Sequence, residues 1–131
     1  MNSQPKLLLI EDDKHLAEMY AKKLHLNGYD VTLAKEGNIG LQKARAGVFD
    51  IIVLDLMLPG LSGIEVLGML RSDRKTVKIP IVVYTNYGDI KNKEQCLTYG
   101  ADEFILKIDS SPEGLCQTIG KILTERKIEA I

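Results

Sequence analysis

Three acids, a hydroxyl and an ammonium stand at the ends of four separate apolar runs, and as a set they could handle phosphate. LLLI at 7–10 runs into Glu11, Asp12 and Asp13, and IIVL at 51–54 runs into Asp55. PIVVY at 80–84 is followed by Thr85, and FIL at 104–106 by Lys107. If these runs are parallel strands, their C-terminal ends share one edge of a sheet, where open α/β sheets place ligands. Glu11 and Asp12 with Asp55 alongside would repel one another strongly unless a cation sat between them. All-oxygen ligation of that kind suits Mg²⁺, a hard ion that uses few protein carboxylates and keeps several waters. Lys107 would neutralise added negative charge, and Thr85 would donate a hydrogen bond to a phosphoryl oxygen. Asp55 is the natural nucleophile, because a carboxylate can form an acyl phosphate.

Each member also has a plainer explanation. A lysine after a strand is usually a solvated side chain, and a threonine is usually just a strand residue. For Asp13 the plainer role is preferred, as the cap of the helix that follows. Asp55 is different: it ends the most apolar run in the chain and precedes a tight LPG loop.

The elements that must position these groups alternate between strand-like and helix-like patterns, as in βα units around a parallel sheet. KLLLIE is apolar on both faces, as a strand covered by helices on each side should be. Leu16, Met19, Tyr20 and Leu24 form the apolar stripe of the first helix, and Gly28 supplies its left-handed stop. YDVTLA is less apolar and predicts an edge strand, followed by a helix over 37–46 with Ile39, Leu41 and Ala44. FDIIVLD predicts the central strand. Ser62 with Glu65 makes a capping box for the third helix, which carries Ile64, Val66, Leu67 and Leu70. IPIVVYT is the fourth strand, a helix over 89–98 follows, and Gly100 stands beyond its end. ADEFILK is the fifth strand. Ser111 and Pro112 then open a last helix with Leu115, Ile119, Ile122 and Leu123 on its inner stripe. Right-handed crossovers stack five strands and five helices as a three-layer sandwich.

The bulk properties narrow the class. A chain of 131 residues is most simply one domain, 1–131, with a real core. Lys plus Arg number 17 against 18 Asp plus Glu, so nothing asks for nucleic acid or an anionic membrane as a partner. There is no basic helix-turn-helix segment either. Cys96 and Cys116 lack CxxC spacing and read as small core hydrophobes of a reduced protein. His15 and His25 lack metal-site spacing. MNSQPK is followed by only four apolar residues, too few for a signal peptide or a membrane span, and a cytoplasmic location is expected.

LLLIEDD, VLDLMLPGLSGIEVL, IVVYTN and GADEFILK together resemble the receiver domain of bacterial two-component response regulators, over essentially the whole chain. The resemblance implies a flavodoxin-like (βα)5 fold with a parallel sheet of order 2-1-3-4-5. It implies that Asp55 is the phosphoacceptor, charged by a histidine kinase or phosphotransfer protein. It also implies that Asp12, Asp55 and the Met57 backbone carbonyl ligate Mg²⁺, with Glu11 acting largely through water. Thr85 and Lys107 would contact the phosphoryl group, and Phe104 would occupy the aromatic switch position. Phosphorylation adds about −1.5 to −2 charges at neutral pH. Drawing Thr85 toward it would reshape the face of the fourth helix, fifth strand and fifth helix that meets a downstream effector, as a monomer or as a dimer formed on phosphorylation.

Two residues depart from the family pattern. Asn86 stands where a small residue usually follows the threonine, and Ile108 stands where proline usually follows the lysine. A non-proline cis bond costs about 2.5–4 kcal/mol, so trans geometry or a strained exception is expected at Lys107–Ile108. Asn86, with the bulky Met57 and Tyr87, is expected to restrict access to the phosphoryl group and to lengthen the life of the phosphorylated state. Two uses stay open: a stand-alone CheY-like receiver, and the regulatory portion of a longer DNA-binding regulator. A Mg²⁺-dependent aspartyl-phosphate phosphatase would need a D-x-D strand end and a substrate cap. A flavodoxin-like electron carrier would need a Ser/Thr-rich loop after the first strand, where this chain is acidic.

Overall fold

The computed structural model describes residues 4–88 and 90–130. Among them the elements run β1 (Lys6–Ile10), α1 (Lys14–Leu26), β2 (Asp30–Ala34), α2 (Gly37–Ala46), β3 (Ile51–Leu54), α3 (Gly63–Ser72), β4 (Ile81–Thr85), α4 (Ile90–Thr98), β5 (Glu103–Leu106) and α5 (Pro112–Ala130). The expected first residue of the fourth helix, Asp89, lies outside the described residues, as do residues 1–3 of the N-terminal segment and Ile131. All pairings are parallel, and the strand order is β2-β1-β3-β4-β5, as expected.

Strand alternation sorts the core into two halves. Leu8, Ile10, Ile52, Leu54, Ile81, Val83 and Phe104 meet α2, α3 and α4 on one face. Leu7, Leu9, Ile51, Val53, Val82 and Tyr84 meet α1 and α5 on the other. This is the three-layer sandwich, and its central strands are apolar on both sides because helices cover both. β2 and β5 are the edges.

The local signals hold in detail. Asp13 caps α1, its carboxylate accepting from the Leu16 amide at 2.9 Å. Ser62 Oγ accepts from the Glu65 amide while Glu65 accepts from the Ser62 amide, which completes the capping box of α3. Gly28 ends α1 at φ +96°. One expected core residue is corrected: Met19 is 49% exposed, because Ala17, Tyr20 and Leu24 are the side chains α1 turns inward.

At the sheet edge remote from Asp55, Arg71 of α3 gathers several segments. Its guanidinium donates to the carbonyls of Gly100, Val77 and Ile79 and pairs with Asp102. Asp102 accepts in turn from the Ile81 amide at the start of β4 and from Arg126 of α5. Thr76, fully buried in the connection to β4, donates to the Leu70 carbonyl at 2.6 Å.

Candidate functional site

The ladder runs one residue past the ends of β1 and β3. The Glu11 amide donates to the Ala34 carbonyl, and the Asp55 amide to the Ile10 carbonyl, each at 3.0 Å. That extension aligns the two acids on the same edge. Ligand oxygens of Glu11, Asp12 and Asp55 all lie within 4.8 Å of one another, with Glu11 and Asp55 buried and Asp12 facing solvent.

Asp55 is held from several sides. Its Oδ1 accepts from the Thr85 hydroxyl at 2.7 Å and from the Met57 amide at 3.1 Å. Its Oδ2 pairs with Lys107 Nζ at 3.0 Å, and the same ammonium is bonded to Glu11. Thr85 Oγ1 also accepts from the Tyr87 amide at 3.0 Å, which couples the loop after β4 to the acid. Gly63, the first residue of α3, lies so close that a Cβ there would stand 2.3 Å from the Asp55 carbonyl oxygen.

Burial pushes the Glu11 carboxyl up to about 7, helped by its hydrogen bond to Asp55 and opposed by Lys107. Burial alone would raise Asp55 as well. Hydrogen bonds from Glu11, Thr85 and the Met57 amide, with the Lys107 charge, hold it instead below the usual carboxylate range. Lys107 is desolvated, yet its two carboxylate partners keep it above its ordinary value. Glu11 thus takes up a proton more readily than a free carboxylate, while Asp55 stays anionic.

This has a measurable sign. A folded carboxyl raised from 4.5 to about 7 binds more protons than in the unfolded chain, so stability falls as pH rises between those values. Asp55 acts in the opposite sense and only at lower pH, through its depressed value. Without divalent metal, the melting temperature is expected to fall between about pH 4.5 and 7, and Glu11→Gln to flatten that slope. A slope unchanged by Glu11→Gln would place the titration elsewhere.

The donor set suits a divalent cation. Three carboxylates cluster at the strand ends, two of them paired with the Lys107 ammonium among the described residues, and every donor in the cluster is oxygen. The Glu11 side chain also bridges to Lys107. Asn86 and Tyr87 are exposed at the rim, Tyr87 at 51%, and Met57 is 58% exposed beside Asp55. Phe104 is 7% exposed and lies within the core, with its ring against Gly88. The Lys107–Ile108 bond is trans, no cis bond occurring among the described residues, and Lys107–Asp109 forms a 3₁₀ turn. Two residues beside the site drew no functional notice in the sequence: the rings of Tyr20 and Tyr84 flank Lys107.

Sheet order and strand-end chemistry together define a flavodoxin-like α/β module with an acidic, lysine-paired site at the C-terminal ends of its strands. The chain belongs to the response regulator receiver domain family, which it matches over residues 7–119. It is 38% identical over 102 residues to the response regulator ArlR of Staphylococcus saprophyticus, covering 78% of this chain and 45% of ArlR. The chain thus spans about half the length of that relative. Among solved structures it resembles a CheY-like receiver domain protein from Methanospirillum hungatei, with a TM-score of 0.90 and 28% identity over 97% of this chain and 99% of that one. It likewise resembles the receiver domain of a Francisella response regulator, with a TM-score of 0.84 and 32% identity over 94% of this chain and 98% of that one. No helix among the described residues is long and apolar enough to cross a membrane.

Proposed function

We propose that residues 1–131 form one receiver unit that accepts a phosphoryl group on Asp55 from a histidine kinase or a phosphotransfer protein, in a Mg²⁺-dependent reaction in the cytoplasm. The observation that carries this is the setting of Asp55: anionic, buried, and held between the Thr85 hydroxyl and the Lys107 ammonium beside two further acids. A carboxylate oxygen of Asp55 attacks phosphorus, the P–N bond of the donor phosphohistidine breaks, and the imidazole nitrogen keeps the electron pair and takes up a proton. Asp12, Asp55 and the Met57 carbonyl would hold the ion, with Glu11 acting largely through water. When bound, the ion supplies a Lewis-acid clamp on a phosphoryl oxygen.

The chain's own groups do the rest. Lys107 offsets the charge that accumulates at Asp55, and the Thr85 hydroxyl turns from Asp55 Oδ1 to a phosphoryl oxygen. Because the Tyr87 amide donates to that hydroxyl, the 86–88 loop follows it. Phe104, packed against Gly88, repacks with the loop, and the α4–β5–α5 face offered to an effector changes. The unit acts as a monomer or as a dimer formed on phosphorylation, and this chain alone engages no nucleic acid. Met57, Asn86 and Tyr87 crowd the approach of water, so self-catalysed phosphate loss is weak.

Incubation with Mg²⁺ and a small acyl phosphate, followed by intact mass, tests this. The wild-type chain is expected to gain one phosphate and Asp55→Asn none. Equal gain in both, or none in either, would overturn the assignment. A second use of the same chemistry is the regulatory portion of a longer response regulator, favoured by the 45% coverage of ArlR.

A further inference from the structure

Lys107 reaches the carboxylates through a slot between two aromatic rings. Its Nζ lies 5.4 Å from the ring centroid of Tyr20 and 5.8 Å from that of Tyr84. The rings meet edge to face, with centroids 5.3 Å apart and planes at 72°. Both are buried, at 5% and 2% exposure, so the ammonium faces them with little water between. A cation within about 6 Å of a ring centroid is attracted to its face, more strongly when desolvated.

The backbone around Lys107 gives its side chain little direction. The residue starts a 3₁₀ turn, and the next residue, Ile108, is 79% exposed. A lysine has a flexible four-carbon stem and a compact charge that can settle on any nearby anion. Here the rings supply the bracing. Tyr20 comes from the middle of α1 and Tyr84 from β4, so two elements fixed by the core define the slot. Tyr84 also donates through its hydroxyl to the Ser110 carbonyl at 3.3 Å, tying its ring to the segment that follows the turn. Neutral rings attract the ammonium without cancelling its charge, which a third carboxylate would do.

We propose that Tyr20 and Tyr84 are positioning residues for phosphoryl transfer, their ring faces holding the Lys107 ammonium against Asp55. This rests on the phosphoacceptor reading above. Ordinary core packing would make the same rings matter for stability, but it would not link them to Lys107.

Two measurements separate these cases. In ¹H–¹³C spectra of the whole chain, the Lys107 ε-methylene protons should lie upfield through the ring currents, in the wild type and in Tyr20→Phe. That shift should shrink in Tyr20→Leu. With acetyl phosphate and Mg²⁺, Tyr20→Leu should take up phosphate about three- to tenfold more slowly, and Tyr20→Phe should restore most of the rate. In a Lys107→Met background, Tyr20→Leu should slow the residual reaction no further. Should Tyr20→Leu fail to fold, Tyr20→Met takes its place in every comparison. A wild-type rate in folded Tyr20→Leu, or equal slowing with and without Lys107, overturns the proposal. A wild-type chain that takes up no phosphate defeats the phosphoacceptor reading itself, and the Lys107 shift then reports separately whether the rings hold the ammonium.

Discussion

Lys107→Met should accept phosphate from a small acyl phosphate about 10²-fold more slowly than the wild-type chain, read as the time course of intact mass. The ammonium is 8% exposed, bonded to Glu11 and 3.0 Å from Asp55 Oδ2. Among the described residues, no other cation is in ion-pair distance of Asp55. In the proposed transfer, negative charge would accumulate where the Lys107 ammonium already stands. Removing one preorganised partner of that kind costs about 10²–10³ in rate. Methionine matches the length of the lost stem, so the deficit is electrostatic and not a cavity. A Lys107→Met rate within threefold of wild type would mean that the ammonium serves folding alone. Excess Mg²⁺ should recover only part of the loss, since an ion held by solvent-facing Asp12 would not replace the Lys107 charge beside Asp55 Oδ2.

Gly63→Ala should destabilise the chain by about 3 kcal/mol, lowering its melting temperature by roughly ten degrees. A Cβ there would stand 2.3 Å from the Asp55 carbonyl oxygen and 2.4 Å from Leu56 Cα. Both are backbone atoms and cannot swing aside as a side-chain tip would. Either α3 must back away, opening the packing of Val66 and Leu67, or the end of β3 must bend and carry Asp55 with it. The variant should therefore lose phosphate uptake together with stability. Gly68→Ala is the matched control in the same helix, because nothing lies within 4 Å of its added methyl. It should gain up to about 1 kcal/mol from helix propensity. If Gly63→Ala melts with the wild type, the close approach is relieved by a shift too small to matter.

Local chemistry was largely legible in the chain. Asp13, Ser62 with Glu65, and Gly28 perform the capping expected of them, because a cap depends on residues three or four apart. The order of the sheet and the shared edge of Glu11, Asp55, Thr85 and Lys107 followed from apolar runs and a family motif. Strand limits are less legible: the apolar run FDIIVLD spans seven residues, while the regular ladder of β3 holds Ile51–Leu54. Periodicity marks burial, and burial extends past the last regular pairing. What the chain could not show were partnerships between residues distant in sequence. Glu11 bridges to Lys107 across the sheet, and Tyr20 meets Tyr84 and Lys107 across two layers. In the sequence Tyr20 is one member of an apolar stripe. Strand alternation sends Tyr84 to the α1–α5 side while its neighbour Thr85 turns to Asp55, and that contrast was the available clue.

The Arg71 clamp has a mechanical consequence. It fastens the far end of α3, the start of β4, the α4–β5 turn and, through Asp102, the tail of α5. At the opposite end the same layers finish in loops around Asp55 and Thr85. The domain is therefore built like a cantilever, with its root at Arg71 and its free tip at the carboxylates. Under the proposed phosphorylation, a charge placed at the tip would work with the longest available arm and would turn α4 and its loop about that root.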